Sequence, residues 1–413
     1  MLKNPENRLA IDSGVPTRAL PFAVWPEFAD DEIFAACAVL RSGKVNYWTG
    51  DEGLRFEEEF ARYVGCKHAV AVANGTVALE LALRALGIGP GDEVVVPART
   101  FIASASSVAL CGAVPVVADV DRSSQNLTAA TIEAVLSSRT RAVIAVHLNG
   151  WPCDMNTILG LARDRGLKVI EDCAQAHGAT YKGRKVGSLG DAAAFSFCQD
   201  KIMSTGGEGG MITTNDAAVF EAAWSFKDHG KNYRALASRS PSPAFRWVHD
   251  SFATNARMTE MQAAMGRVLL RKLDRRVAVR RENARVLMRE FSRIPGLRVV
   301  EPEVHEEHAY YKYYAFVRPE ELLDGWQRDR IAAAIRAEGI PCTTGICSEI
   351  YLENAFSPTT RPQTRLPVAR ELGETSLMFL VHSTLSESDM LDTARAVEKV
   401  MSAATPSLQL VSV

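Results

Sequence analysis

The chain has 413 residues, 47% of them hydrophobic, and a formal net charge of −2. That length and apolar content suit a large soluble core, with two domains as the first expectation. The near-neutral charge gives no electrostatic case for binding nucleic acid or an anionic membrane surface. Eight cysteines occur singly and no Cys-x-x-Cys pair is present, so no zinc site or other metal site and no disulfide framework is expected. Such cysteine usage suits a reducing cytoplasm, and the first residues, Met1-Leu-Lys-Asn-Pro-Glu-Asn, do not read as a secretory signal.

In chain order, helical patterns fall near residues 31–42, 55–64, 76–86, 102–111, 129–138, 156–166 and 216–227. Strand-like runs fall at 68–72, 93–97, 114–118, 141–146, 168–171, 192–197 and 210–213. The alternation predicts an α/β fold with a mostly parallel sheet covered on both faces. The uncharged run from Phe101 to Ala118 is interrupted by Ser104, Ser106, Ser107, Gly112 and Pro115, so it reads as a buried helix and a strand, not a membrane span. A long helix is expected from about Thr259 to Ile294, leading into a smaller α+β unit with a strand at 310–317 and a helix at 327–338. The division is therefore residues 1–260, including an N-terminal arm, and residues 261–413, including the bridging helix. The basic run at 271–281 is read as that helix's solvated face, with Leu273, Val277 and Val279 turned inward. The tail after Ala403 is expected to fray.

The chemistry concentrates in three motifs. Ala73-Asn-Gly-Thr-Val-Ala-Leu opens an apolar helix, and backbone N–H groups with a threonine hydroxyl at such a start can hold a phosphate. Glu171 and Asp172 end an apolar strand just before Cys-Ala-Gln-Ala-His-Gly. Lys201 lies between the strand-like Phe-Ser-Phe at 195–197 and the loop Gly206-Gly-Glu-Gly-Gly. A lone loop lysine is ordinarily solvated. One screened from water between a strand end and a glycine loop can act as a nucleophile toward a carbonyl. A lysine with an aspartate at a neighbouring strand end is what pyridoxal phosphate needs: one binds its aldehyde and the other keeps its ring nitrogen protonated.

These motifs, in this order, resemble the DegT/DnrJ/EryC1/StrS group of PLP-dependent sugar aminotransferases, of aspartate-aminotransferase-like fold type I, over about residues 35–382. The resemblance implies Lys201 and Asp172 as catalytic residues. It implies Gly75, Thr76 and Ser196 on the cofactor phosphate, Phe101 and Ala174 on the two ring faces, and Gln175 near the ring hydroxyl. The Asn-x-Arg-Met stretch implies that Asn255 reaches the phosphate of a neighbouring subunit, hence a homodimer with sites at the interface. His177, Tyr47, Trp48, Lys231, His308 and His382 are candidates for the substrate end. The basic loop with Lys231 and Arg234 offers charge to a diphosphate. Arg99 has no assignable role.

The activity implied is transfer of an amino group from L-glutamate to a keto sugar, in the first instance a nucleotide-linked keto-deoxysugar, for surface polysaccharide or an amino-sugar metabolite. The alternatives are a cyclitol ketone, an aminohydroxybenzoate precursor, and a non-catalytic PLP-binding regulator. The lysine distinguishes the chain from dehydratase relatives that carry histidine there.

Overall fold

The computed structural model describes residues 8–237 and 248–406. Of the tail expected to fray, residues 407–413 lie outside the described residues, as do the first seven. The first unit contains α1 (Asp30–Ser42), α2 (Glu52–Val64), β1 (His68–Val72), α3 (Gly75–Ala85), β2 (Glu93–Pro97), α4 (Ala103–Leu110) and β3 (Val114–Ala118). It continues through α5 (Ala129–Glu133), β4 (Thr140–Val146), α6 (Met155–Arg165), β5 (Lys168–Asp172), the short strands β6 (Thr180–Tyr181) and β7 (Arg184–Lys185), β8 (Ala192–Ser196), β9 (Gly210–Thr214), α7 (Ala217–Lys227) and α8 (Tyr233–Ala237). The remainder is α9 (Glu260–Phe291), β10 (Leu297–Arg298), β11 (Glu306–Glu307), β12 (Tyr313–Val317), α10 (Arg328–Ala337), β13 (Cys342–Thr343), α11 (Pro367–Thr375), β14 (Ser376–Phe379) and α12 (Glu387–Ala404).

Seven strands form the central sheet in the order β1-β9-β8-β5-β4-β2-β3. Strands β8, β5, β4, β2 and β3 run parallel, and β9 lies antiparallel between β1 and β8. Val94–Val96 and Ala142–Val146 are buried throughout, as strands covered on both faces must be. The sheet is therefore the α/β architecture with a mostly parallel sheet. Its carboxyl ends deliver Arg99 and Phe101 after β2, His147 after β4, Asp172 at β5 and Ser196 at β8. Open α/β sheets bind ligands at that edge.

The second unit packs an antiparallel sheet, β10-β12-β14-β13, against α10, α12 and the later turns of α9. Helix α9 serves both cores. Leu269, Leu273 and Val277 lie in the core of the first unit, and Ala284, Leu287 and Phe291 in that of the second. The start of the N-terminal arm, residues 9–18, grouped with the first unit from sequence, packs on the second, whereas Trp25 and Phe28 meet the first. Leu9 enters the core of the second unit, and buried Glu338 accepts the Ala10 N–H at 2.8 Å and the Thr17 N–H at 2.9 Å. Arg18 pairs with Asp389 at 2.8 Å and Asp392 at 2.6 Å.

One inward position of α9 departs from expectation. Arg280, assigned to the solvated face, is fully buried, and Val279 is only half-buried. Positions 273, 277, 280 and 284 follow the 4-3-4 spacing of an inward stripe, so the arginine occupies a core position. The expected helix over 129–138 stops at Glu133, and the strand expected from 310 begins at Tyr313, because Tyr310 adopts φ 48°.

Candidate active site

Asp172 closes β5, and its neighbour Glu171 points to the opposite face, as alternation along a strand requires. Glu171 fixes the strand end from behind. Its carboxylate accepts N–H groups from Gly187 at 2.9 Å, Leu189 at 2.7 Å and Gly190 at 2.8 Å. His147 Nδ1 accepts the Cys153 N–H at 3.0 Å, so its Nε2–H donates to Glu171 at 2.9 Å. Burial pushes Glu171 toward the neutral form, but these donors hold it below the usual carboxylate range. His147, Glu171 and Cys173 offer ligand atoms within 4.8 Å of one another. The carboxylate is already saturated, and burial holds the Cys173 thiol protonated, so the cluster works as a hydrogen-bonded pin.

Asp172 faces the site with fewer partners. The Ala174 N–H donates to it at 3.1 Å and Ser104 Oγ at 3.2 Å, and Thr100 Oγ1 lies 3.0 Å from that serine hydroxyl. Burial raises its affinity for a proton, opposed by these two donors and by the nearby charge of Lys201. A cation set against the carboxylate would stabilise it as the anion. Ser104 and Thr100 were missed from sequence, since a serine in an apolar helix carries no motif.

Lys201 Nζ lies 3.4 Å from Asp200 Oδ1 and 5.1 Å from the centre of the Tyr311 ring. Tyr311 donates its hydroxyl to the same Asp200 carboxylate. Trp25, from the arm, donates its ring N–H to the Lys201 carbonyl at 2.9 Å. The lysine side chain is mostly screened, only 18% exposed. A cleft of about 630 Å³ opens beside it, lined by Trp25, Asp200, Lys312 and His382 among others.

The candidate phosphate cradle is built from two segments. Asn74 caps α3 by accepting the Val77 N–H at 2.9 Å, which leaves the first N–H groups of the helix, at Gly75 and Thr76, with no acceptor inside it. Ser196, ending β8, approaches so closely that a Cβ on Gly75 would lie 2.6 Å from the serine Cβ. Only glycine fits there. Gln175 is oriented by the Asn149 N–H, which donates to its Oε1 at 2.7 Å, leaving its amide NH₂ free to donate. His177 is buried between Phe195 and Phe197, with no hydrogen-bond partner for either ring nitrogen among the described residues. Burial, then the charges of Lys201 and Arg280, push it down to about 3, so it is neutral. Phe101 is 63% exposed, its ring on the open side of the strand ends. Unacceptored helix N–H groups, a glycine-only cradle, an under-partnered carboxylate and a screened lysine together fit pyridoxal phosphate.

Other candidates stand elsewhere. Tyr47 is in the core, its hydroxyl bonded to Glu57 at 3.1 Å and accepting from Trp224 at 3.2 Å, so it offers nothing to a ligand. Trp48 donates to buried Asp228 at 2.7 Å, and Lys231 binds the same carboxylate at 3.1 Å. Arg234 is held by Glu221 at 2.9 Å, so neither basic side chain of that loop is uncommitted. Asn255 is exposed beside them, bridged through its backbone to Asp228. His308 is buried, stacked on Tyr310 at 3.9 Å and accepting its N–H at 2.7 Å, and does not reach the cleft. His382 does line it, stacked on Trp25. Arg99 has a structural place. It is fully buried, donating to Gln125 at 2.7 Å and to Ser376 of the second unit at 3.0 Å.

Residues 26–398 match the model of the DegT/DnrJ/EryC1/StrS aminotransferase family, and the chain belongs to that family. It is 41% identical over 350 residues to GDP-perosamine synthase of Caulobacter vibrioides, covering 84% of this chain and 90% of that one. It is 35% identical to an L-glutamine:2-deoxy-scyllo-inosose aminotransferase of Streptoalloteichus tenebrarius, over 95% of this chain and 97% of that one. Among solved structures, an aminotransferase from Psychrobacter cryohalolentis matches with a TM-score of 0.91 at 51% identity, covering 93% of this chain and 99% of that one. The chain is a PLP-dependent aminotransferase of fold type I. Among the described residues no helix is long and apolar enough to cross a membrane.

Proposed function

We propose that this aminotransferase moves an amino group from L-glutamate to the ketone of a nucleotide-linked deoxysugar, serving surface polysaccharide or amino-sugar biosynthesis in the cytoplasm. The observation that carries the reading is that the charge of Lys201 acts on buried Asp172 at the end of β5, while its neighbour Asp200 lines a cleft large enough for a sugar ring. The 41% identity to GDP-perosamine synthase favours the nucleotide-linked acceptor. Bound pyridoxal phosphate supplies the aldehyde that accepts the amino group and the ring that delocalises the electrons. Gly75, Thr76 and Ser196 hold its phosphate, Phe101 and Ala174 flank its ring, and Gln175 donates to the ring hydroxyl. Asp172 keeps a proton on the ring nitrogen. Lys201 Nζ takes and returns the proton that moves during transfer. His177 stays a neutral ring between Phe195 and Phe197.

The working unit is a homodimer, with Asn255 completing the neighbour's phosphate site. Support comes from exposed apolar side chains on one chain: Ile33, Phe34 and Leu40 on α1, then Trp48, Leu54 and Phe252. A cyclitol ketone is the second reading, favoured by the 35% identity to the inosose aminotransferase over nearly the whole chain. An intact lysine and aspartate speak for catalysis over a regulator. The test loads the enzyme with the amino group and then offers a panel of nucleotide-linked keto sugars, keto-inositols and aminohydroxybenzoate precursors. Return of the original absorbance with nucleotide sugars is expected. Return only with the ketones that lack a nucleotide would overturn the acceptor while leaving the aminotransferase. Borohydride should fix the cofactor to the Lys201 peptide, and label on another lysine would overturn that assignment.

A further inference from the structure

The cleft beside Lys201 carries more positive charge than the chain balances. Lys312 lines it beside Asp200, Trp25 and His382. Arg280 lies behind, 4.8 Å from the centre of the Trp25 ring, and donates through Nη1 to the Tyr311 carbonyl at 3.0 Å. Its Nε and Nη2 are buried without a partner among the described residues. Among the described residues neither Lys312 nor Arg280 forms an ion pair with a carboxylate. Asp200, which lines the same cleft, is committed to Lys201 and to the Tyr311 hydroxyl. His382, pushed down to about 3 by burial and then by Arg280 and Lys312, is neutral, as is His177.

A buried guanidinium and a half-buried ammonium without a carboxylate partner are costly to hold charged, and an incoming anion relieves that cost. The backbone has been arranged to place Lys312 there. Asn149, at φ 62°, accepts the Lys312 N–H at 2.9 Å through its side chain and the Tyr311 N–H at 2.9 Å through its carbonyl, while orienting Gln175 on its other side. The lysine is thus registered against Gln175.

We propose that Lys312, backed by Arg280, receives the side-chain carboxylate of the amino donor and so selects a dicarboxylic amino acid, glutamate, over its carboxamide, glutamine; this rests on reading the Lys201 cleft as the amino-donor end. A carboxamide side chain is uncharged and brings Lys312 no counter-charge. A carboxylate makes a charge-assisted bond to the ammonium. The choice of donor is a real one in this family, since the inosose relative is named for L-glutamine.

The test is the first half-reaction, with holoenzyme, L-glutamate or L-glutamine, and no acceptor, followed by absorbance. Wild type should favour glutamate, by about ten- to a hundredfold in the concentration needed for half-maximal rate. Lys312→Gln should collapse that preference, and Lys312→Arg should restore most of it. Binding gives a second readout: glutarate should compete with glutamate and its monoamide should not, and Lys312→Gln should abolish the difference. Burial and then Arg280 push the Lys312 ammonium down to about 8, opposed by Asp200 and joined by Lys201. The preference should therefore be full below that pH and fall above it. Equal use of glutamine by wild type, or a Lys312→Gln variant that keeps the preference, would overturn the proposal. Competition by inorganic diphosphate in place of glutarate would also overturn it and assign Lys312 to the acceptor. Failure of both donors would instead count against the aminotransferase reading itself.

Discussion

Asp172 carries opposed demands. Burial favours its neutral form, while the task proposed for it, beside a pyridinium, requires the anion. The sign of the effect on folding follows. A carboxyl whose folded pKa is raised costs stability once pH exceeds its unfolded value, near 4, because the folded state resists ionisation. Asp172→Asn should therefore leave the cofactor-stripped protein as stable as wild type at neutral pH, or more so. Turnover should fall by at least about a hundredfold, roughly 3 kcal/mol or more, because the ring nitrogen loses its anionic partner. Thermal melting of the stripped proteins and half-reaction rates of the loaded ones check the two halves separately. Near-normal turnover in Asp172→Asn would mean another residue serves the ring.

At the scale of elements, the meeting of α3 and β8 is set by one missing Cβ. The Gly75–Ser196 approach leaves no room for a methyl, whose Cβ would meet the serine Cβ at 2.6 Å. Gly75→Ala should cost about 1–3 kcal/mol of stability and loosen cofactor retention on dialysis. Adding Ser196→Gly removes the opposing Cβ and should recover most of the melting temperature, although not the phosphate contact made by the hydroxyl. Full retention by Gly75→Ala would show that the helix start is not the cradle. A second close approach occurs at Gly150, φ 95°, where a Cβ would lie 3.0 Å from the Gln175 carbonyl and 3.1 Å from Ala309. That turn docks the 309–312 segment against the Gln175 loop, so one element sets the spacing between Gln175 and Lys312.

For the whole molecule, the two units are tied by α9, which enters both cores, and by Arg99. The guanidinium reaches from the end of β2 to Ser376 of β14 and lies 5.4 Å from the centre of the Tyr314 ring, with no carboxylate among its hydrogen-bond partners. Burial lowers its pKa accordingly. Assembly is a property of the same scale. If Asn255 completes a neighbour's site, Asn255→Ala alone should weaken cofactor retention. Mixing Asn255→Ala with Lys201→Ala subunits should then regenerate sites that neither variant has. Light scattering showing a fully active monomer, or hybrids with no recovered activity, would rule that arrangement out.

What the amino-acid sequence determined by itself is whatever depends on neighbours along the chain. The strands at 68–72, 93–97 and 114–118 fall where their apolar runs end. Asp172, Lys201 and the Gly75-Thr76 turn are legible because strand ends and helix starts are local signals with fixed chemistry. The tertiary structure decided which charges are free. Arg280 stands in a run of arginines and lysines that hides its place on the inward stripe. Lys231 and Arg234 look available until Asp228 and Glu221 fold against them. Lys312 looks like one more lysine among tyrosines until Asn149, 163 residues earlier, turns it into the cleft. A charge is used or spent according to what packs beside it, and those partners come from distant segments that no local pattern records.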